Sequence, residues 1–325
     1  MKYLKMMSFL LLTVVMFSCS SDSDTPKPPT ADFFFEVNGT EVTFTSEMSN
    51  VESFEWNFGD GTTSTEKDPV HAYETPQTYK VSLNIKGTDG SQSAVSKDVE
   101  VLETPEYLLT GGAAHPNGKT WKMKYEVAPN HDKEGVGLVE NNLTIQQFID
   151  EDGFLEWISL PQGYNDTFTF TYDGKYTVNN SDSYGGSLMT LIYASMNYNM
   201  EAYPTGDVLG VSSQLALAPM ADILYTPKAD ATWSFSDTDF DVDAAIIDPA
   251  SGEILDSYTL TFTGKERLVL DEYFGFKDAS IVVIIKELSE TEMNVAIGMH
   301  ASQTDPARVT HMVHLTFEAV PFPAP

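Results

Sequence analysis

Short runs of alternating apolar and polar residues fill the first part of the chain beyond its N-terminal segment. Alternation with a period of two places every second side chain on the same face of a β-strand. Turn-forming residues separate the runs, so the pattern predicts an antiparallel β-sandwich over residues 31–103. The apolar positions that define it are Phe33, Phe35, Val37, Val42, Phe44, Phe54, Trp56, Phe58, Tyr79, Val81, Leu83, Ile85, Val95, Val99 and Val101.

Strand-like runs also dominate the rest of the chain, after a short linker at Glu103–Glu106. They predict a second, larger all-β unit over residues 107–321, a jelly-roll-like β-sandwich. Two stretches with helical character, Ser187–Asn199 and Ser212–Leu224, lie in a long insertion that we expect to cap one end of this sandwich. The strand-like runs are 120–125, 154–158, 167–172, 175–178, 232–235, 258–262, 281–285, 293–298 and 309–317.

The first residues have the features of a secretory signal. Lys2 and Lys5 precede an apolar run from Met6 to Phe17, which is shorter than the roughly 20 residues that a membrane-spanning helix needs. The Ser18-Cys19 pair that follows resembles the bacterial lipobox. The resemblance implies that residues 1–18 are removed and that the Cys19 sulfur carries diacylglycerol. An ordinary signal peptide with an incidental cysteine is the alternative.

Residues 19–30 are polar, acidic and rich in proline, which is typical of an extended tether. An acidic stretch directly after a lipidated cysteine resembles the surface-export signal of some Gram-negative lipoproteins. The resemblance implies an outer-membrane protein that faces the cell exterior. Because Cys19 is the only cysteine in the chain, we expect no internal disulfide, and stability must come from hydrophobic cores.

The net charge limits the classes of ligand that fit the surface. The chain has 48 acidic and 18 basic residues, and its formal net charge is -30 at pH 7. This charge repels phosphate backbones and therefore argues against nucleic acid as a partner. It also argues against charge-driven docking on anionic lipid, so membrane attachment would depend on the acyl chain. Uncharged sugars and cations suit the surface better.

Three motifs of the first unit occur in a characteristic order. They are Trp56-Asn57-Phe58-Gly59-Asp60-Gly61, Asp68-Pro69-Val70-His71-Ala72-Tyr73 and Thr78-Tyr79-Lys80-Val81-Ser82-Leu83. They resemble the motifs of the PKD domain, an immunoglobulin-like β-sandwich, although Gln77 stands where the family commonly has glycine. The resemblance implies a spacer or binding module. We expect Trp56 and Phe58 in its core and a structural role for His71.

The second unit has landmarks of its own. They are Leu109-Thr110-Gly111-Gly112, Gly118-Lys119-Thr120-Trp121, Gly135-Val136-Gly137, Glu156-Trp157, Tyr164-Asn165-Asp166-Thr167-Phe168 and the late strands from Ile284 to Met293. They resemble a domain that follows a PKD module in the accessory surface glycan-binding lipoproteins of starch-utilisation-system-like loci. The resemblance implies non-catalytic binding of a polysaccharide and its presentation to a TonB-dependent transporter complex of the outer membrane. It departs at Ile158, where that family often has a second tryptophan.

Aromatic residues near loops and strand ends are candidates for contact with a sugar. A pyranose has an apolar face of C–H groups that stacks on an aromatic ring, while polar side chains bind its hydroxyl groups. The predicted glycan-binding residues are Trp157, Tyr164, Asp166, Tyr203, Tyr273 and His131. The alternative is that these aromatic rings fill the core, as most do, and that His131 only stabilises its loop. For Trp121 and Trp233, in the middle of strands, we favour the core.

A metal site has weaker support in the sequence. Asp237, Asp239, Asp241 and Asp243 alternate along the chain, and Ca²⁺ takes six to eight oxygen ligands. The spacing is not that of an EF-hand, and on a strand these carboxylates form one solvated face, so we predict no cofactor and keep Ca²⁺ as the alternative. The late histidines, at positions 300, 311 and 314, do not have the spacing of a zinc site.

The sequence contains no motif of a hydrolase that we recognise, such as a nucleophile elbow or a metalloprotease helix. Together with the resemblance to surface glycan-binding lipoproteins, this absence leads us to predict a non-catalytic binding protein. Two alternatives remain open. One is a glycoside hydrolase on the same scaffold, and the other is a surface adhesin, which usually has a longer array of repeats than this chain.

Overall fold

The protein is all-β, as the sequence predicts. The computed structural model describes residues 27–126, 133–149, 152–153, 155, 161–180, 187–191, 208–211, 220–224, 226–248, 253–275, 279–299, 305 and 308–322. Within these residues the regular structure consists of strands, one short α-helix and one 3₁₀-helix. No helix in the described part is long and apolar enough to cross a membrane.

The N-terminal unit consists of two antiparallel sheets around a shared core. Its strands are β1 (Thr30–Asn38), β2 (Glu41–Ser49), β3 (Val51–Asn57), β4 (Thr63–Ser64), β5 (Val70–Ala72), β6 (Thr78–Gly87) and β7 (Gln92–Glu100). The sheets have the orders β1-β2-β5 and β4-β3-β6-β7. Trp56 and Phe58 are buried in the core, as predicted. The Trp56 indole N–H donates to the Glu66 carbonyl at 3.0 Å, which satisfies its polar end.

The C-terminal unit contains a large antiparallel sheet that closes on itself. Its strands are β8 (Lys119–Met123), β9 (Gly135–Gly137), β10 (Ile145–Phe148), β11 (Thr167–Phe170), β12 (Lys175–Asn179), β13 (Ser187–Leu191), β14 (Val208–Val211), β15 (Met220–Leu224), β16 (Ala231–Ser236), β17 (Phe240–Ile247), β18 (Ile254–Phe262), β19 (Arg267–Leu270), β20 (Ala279–Leu288), β21 (Glu292–Met299) and β22 (His311–Ala319). The strand order is β8-β11-β12-β16-β19-β20-β21-β22, and β22 pairs with β8 to complete the ring.

Side chains fill the interior of this closed sheet, as expected for eight strands. Alternate residues of each strand point inward, and Trp121 and Trp233 are among them, at 0% and 8% exposure. Their placement confirms the prediction that both belong to the core.

The hairpin of β17 and β18 forms a second layer over β20, β21 and β22. Its residues Phe240 and Val242 pack with Ile284, Ala296 and Met312 on the outer face of the closed sheet. The three strands are therefore buried on both faces, which explains their nearly continuous apolar sequence. The layering agrees with the predicted larger sandwich, whereas the closure through β22 was not foreseen.

The last two residues of the predicted linker begin a helix. Helix α1 (Pro105–Thr110) begins directly after Thr104, whose side chain accepts a hydrogen bond from the Tyr107 N–H at 3.2 Å. Proline at the first helical position and glycine after the last, at Gly111 with φ +81°, are the usual signals for such a short helix.

The prediction of helices in the long insertion is wrong where the insertion is described. Ser187–Leu191 and Met220–Leu224 are strands β13 and β15, and they pair antiparallel with each other from Ser187 opposite Leu224 to Leu191 opposite Met220. Strand β14 pairs with β15 on its other side. Pairing between segments thirty residues apart outweighs local helix propensity, which is only a weak prior.

His314 is a buried polar group in β22. It is fully buried, and neither ring nitrogen has a hydrogen-bond partner in the described part of the structure. Burial, assisted by the Lys286 ammonium, lowers the pKa of His314 to about 3. The folded state therefore keeps the imidazole neutral at a pH where the unfolded chain protonates it.

We predict that this histidine makes the protein less stable in acid. Because the folded-state pKa lies below the unfolded value near 6.5, stability is fully present above pH 6.5 and falls as the pH drops toward 3. Between pH 7 and pH 5, protonation of this histidine in the unfolded chain should lower the free energy of unfolding by about 2 kcal/mol. Urea unfolding of wild type and His314→Leu at both pH values measures it. The variant should lose correspondingly less stability, and an equal loss in both proteins would contradict the prediction.

Candidate functional site

Strand β22 changes its neighbour along its length, and a small pocket forms where it does. Met312–His314 pair with β9, whereas Phe317–Ala319 pair with β8. Leu315 and Thr316 lie where β8 and β9 diverge. The pocket there has a volume of about 20 Å³. It is lined by Met123, Lys124, Tyr125, Glu126, Glu134, Ile149, Tyr164, Leu315 and Thr316.

An accessible aromatic surface borders the pocket. Tyr125 follows the end of β8 and is 45% exposed. Its ring centroid lies 5.3 Å from that of the half-buried Tyr164, and the ring planes are inclined at 54°. We call this pair the Tyr125–Tyr164 ledge. Tyr125 contributes the ring that a ligand can reach, and Tyr164 supports it from the side of the core.

Backbone contacts hold the ledge in place. The Tyr164 hydroxyl accepts a hydrogen bond from the Leu155 N–H at 3.1 Å, and the Gly153 N–H donates to the Tyr125 carbonyl at 2.9 Å. Gly153 has a φ of +73°, and a Cβ there would lie 2.8 Å from the Tyr125 hydroxyl oxygen. A glycine is needed at this position because the tyrosine ring lies directly against the backbone.

The other wall of the pocket is polar. The Thr316 hydroxyl donates to the buried carboxylate of Glu134 and accepts from the Asn294 side-chain amide at 3.0 Å. The Lys124 ammonium lies 2.8 Å from the Glu292 carboxylate. This hydrogen bond raises the pKa of Lys124 and lowers that of Glu292, so both groups stay charged around neutral pH.

The geometry combines one flat apolar surface with donors and acceptors beside it. A pocket of about 20 Å³ admits a group the size of a hydroxyl or a water molecule and excludes a whole ring. A larger ligand would therefore lie across the Tyr125–Tyr164 ledge and place one polar substituent in the pocket.

Two of the predicted glycan-binding residues lie in the interior. Tyr273 is 5% exposed and Asp166 is 2% exposed. The Tyr273 hydroxyl donates to the Asp166 carboxylate at 3.3 Å, and the Tyr273 carbonyl accepts from the Tyr176 hydroxyl at 2.6 Å. Burial and the Asp166 charge raise the pKa of the Tyr273 phenol, which remains a donor. This placement corrects the expectation that Tyr273 and Asp166 contact a sugar, because neither is accessible.

The other predicted site residues lie outside the described residues. They are Cys19, His131, Trp157 and Tyr203. Lipidation of Cys19 and sugar contact by the remaining three stay predictions. Among the predicted glycan-binding residues that the structure describes, Tyr164 alone lines the pocket.

The sequence did not single out Tyr125. Alternation along Trp121, Met123 and Tyr125 suggests that all three point into the core. Strand β8 ends at Met123, however, and the chain leaves the sheet after Lys124, which exposes the next ring. The signal that was available is its position at the end of a predicted strand, where functional residues are more frequent than in strand centres.

The acidic residues of β17 and the segment before it have structural partners. Asp241 and Asp243 accept hydrogen bonds from the hydroxyls of Thr261 and Thr259 across the hairpin, at 2.6 and 2.7 Å. Asp239 accepts from the Gly264 N–H at 3.2 Å. Within the described ranges, no group of three or more His, Cys, Asp or Glu side chains has an arrangement that would hold a metal ion.

His71 in the N-terminal unit also has structural contacts. Its Nε2 lies 2.7 Å from the Asp60 carboxylate, and its ring stacks on Phe58 with the centroids 4.0 Å apart. These contacts connect the turn around Asp60 to the core and agree with the structural role that the sequence suggests.

Residues 27–102 match the family model of the PKD domain. The N-terminal unit is a PKD domain. The crystal structure of the PKD1 domain of Vibrio anguillarum Epp is similar to it, at 24% identity and a TM-score of 0.24, over 24% of this chain and 99% of that one.

Curated relatives match parts of this chain. Collagenase ColA of Bacillus cereus is 43% identical over 72 residues, which are 22% of this chain and 7% of the collagenase. Collagenase ColA of Clostridium perfringens is 24% identical over 177 residues, 53% of this chain and 14% of that protein. The chain thus spans a small fraction of these relatives, and the likeness rests on the PKD domain.

A longer structural likeness covers both units. A solved structure of carbohydrate-binding modules from the β-sandwich superfamily aligns with 91% of this chain and 93% of its own length, at 13% identity and a TM-score of 0.24.

We predict that the Tyr273–Asp166 contact supports the fold and not ligand binding. Tyr273→Phe removes the hydroxyl and leaves a buried carboxylate with one hydrogen bond fewer, which should lower the free energy of unfolding by about 1–3 kcal/mol. Urea unfolding at pH 7 measures the change. Equal stability of Tyr273→Phe and wild type would contradict the assignment.

Proposed function

We propose that this chain is a cell-surface lipoprotein that binds a neutral polysaccharide without cleaving it, at the Tyr125–Tyr164 ledge of its C-terminal unit. The observation that carries the proposal is the exposed Tyr125 ring beside a hydroxyl-sized polar pocket. An aromatic face for C–H groups and adjacent hydrogen-bonding groups are the two features that recognition of a pyranose requires.

The charges of the protein favour a neutral ligand. Glu126 and Glu134 line the pocket, and the net charge of the whole chain is -30. An anionic polysaccharide would be repelled at the surface and again at the pocket. A neutral polysaccharide avoids both penalties, and its hydroxyl groups are able both to donate to a carboxylate and to accept from the Lys124 ammonium.

The order of segments supports presentation of the ligand outside the cell. Cys19 would carry the lipid, residues 19–30 would form the tether, and the PKD domain would separate the C-terminal unit from the outer membrane. The unit with the ledge would then be farthest from the bilayer and would deliver the polysaccharide to a TonB-dependent transporter complex.

Affinity electrophoresis against glucans, mannans and other neutral plant and algal polysaccharides tests the function. Wild-type protein should be retarded by at least one of them. Tyr125→Ala should weaken that binding by roughly threefold to tenfold, since an aromatic contact contributes about 0.5–1.5 kcal/mol. Phe34→Ala is the matched control, because Phe34 is a similarly exposed ring in the PKD domain, and it should bind as wild type. Trp157→Ala tests the remaining sequence prediction in the same gel.

Two results would contradict the proposal at different levels. If no neutral polysaccharide retards the wild-type protein, the function is wrong. If a polysaccharide retards wild type and Tyr125→Ala equally, the function stands and the site is wrong. Release of new reducing ends from the bound polysaccharide would instead favour the glycoside hydrolase, for which Glu126 and Glu134 are the carboxylates at the pocket.

A further inference from the structure

Thr40, in the turn between β1 and β2 of the PKD domain, is fully buried, although turns of hairpins normally lie at the surface. The turn is Asn38-Gly39-Thr40, and Thr40 is 0% exposed. The Thr40 carbonyl accepts a hydrogen bond from the Tyr73 N–H at 2.8 Å within the PKD domain. Residues of the C-terminal unit cover the other side of this turn.

Two hydrogen bonds cross from the C-terminal unit to this turn. The Tyr172 hydroxyl donates to the Asn38 carbonyl at 2.8 Å, and the Ala113 N–H donates to the Thr40 hydroxyl oxygen at 3.1 Å. Burial raises the pKa of the Tyr172 phenol, as do the carboxylates of Glu41 and Glu106. The phenol is therefore protonated and able to donate.

The two surfaces approach each other closely at one glycine of each unit. A Cβ on Gly112 would lie 2.5 Å from the Thr40 hydroxyl oxygen, and a Cβ on Gly39 would lie 3.0 Å from the Tyr172 hydroxyl. Both glycines have positive φ, +82° and +58°. Gly112 of the C-terminal unit faces Thr40, and Gly39 of the PKD domain faces Tyr172. A glycine on each side of the contact indicates a fitted interface rather than a chance contact.

The connection between the two units adds to this constraint. Helix α1 starts at Pro105, a few residues beyond the end of β7 at Glu100. Its capping residue Thr104 also borders the turn, since a Cβ on Gly39 would lie 3.6 Å from the Thr104 hydroxyl oxygen. A connection this short keeps the surfaces at a high effective concentration, so a few hydrogen bonds are enough to hold them together.

The C-terminal side of the contact is itself held in place. Tyr172 lies in the turn between β11 and β12, where the Trp233 indole N–H donates to the Thr171 carbonyl at 2.9 Å. Trp233 reaches this turn from the core of the closed sheet. The phenol that contacts the PKD domain is thus connected to the main core of the other unit.

We propose that the Asn38–Thr40 turn locks the PKD domain and the C-terminal unit into one rigid body that unfolds cooperatively. The PKD domain is then an arm with a fixed direction relative to the C-terminal unit. This inference does not depend on sugar binding, and its test uses no ligand.

The double variant Thr40→Val/Tyr172→Phe tests the lock in the full mature chain. It removes the Tyr172–Asn38 and Ala113–Thr40 hydrogen bonds and changes few atoms, so each unit keeps its own core. Tyr258→Phe is the matched control, because its hydroxyl donates to the Val139 carbonyl at 3.0 Å within the C-terminal unit. Differential scanning calorimetry and hydrogen exchange of the Ala113 amide are the two measurements.

Wild type and Tyr258→Phe should each unfold in one transition, with equal calorimetric and van't Hoff enthalpies. The double variant should unfold in two transitions, and its Ala113 amide should exchange at least about tenfold faster than in wild type. Two separate transitions in wild type would overturn the proposal. So would a double variant with a single transition and the exchange rate of wild type.

Discussion

The pairing of β22 with β8 is the constraint on which the C-terminal unit depends. It converts a row of antiparallel strands into a closed sheet with a filled interior. Strand β22 also pairs with β9 on the same edge, so β8 and β9 must pair with different segments of it. Their divergence at Leu315 and Thr316 leaves the pocket. Closure of the fold and formation of the candidate site therefore have one cause.

The position of the ledge follows from this closure. The Lys124 N–H still donates to the Thr316 carbonyl at 2.9 Å, but Tyr125 has left the sheet. Its ring then lies against Gly153 and Tyr164, which prevents it from turning back to the core. An exposed aromatic ring fixed in this way loses little conformational freedom when a ligand binds, which favours affinity.

The sequence predicted what depends on local pattern and missed what depends on distant pairing. Alternation was sufficient to place Trp56, Trp121 and Trp233 in cores, and the motif around Phe58 was sufficient to recognise the PKD domain. The strands of the insertion looked helical because their partners lie far along the chain. Closure through β22 joins segments almost two hundred residues apart, and alternation carries no information about that pairing.

The candidate site shows the same limit at the level of single residues. Tyr164 was chosen from its loop and lines the pocket, whereas Tyr273, which was also chosen, is buried, and the exposed Tyr125 was not singled out. Tyr273 is buried because Phe168 and Tyr176 pack around it and the Asp166 carboxylate accepts a hydrogen bond from its hydroxyl. Tyr125 is exposed because its strand ends two residues earlier. Period-two reasoning gives the face of a strand but not the residue at which the strand stops.

The central claim is that a neutral sugar lies on the Tyr125–Tyr164 ledge. NMR of protein with ¹³C-labelled tyrosine and phenylalanine rings, titrated with an oligosaccharide from a polysaccharide that the protein binds, tests it most directly. The account predicts saturable shifts of the Tyr125 and Tyr164 ring signals, with the Phe34 and Tyr273 signals unchanged. Saturable shifts confined to other rings, with Tyr125 and Tyr164 unaffected, would contradict it.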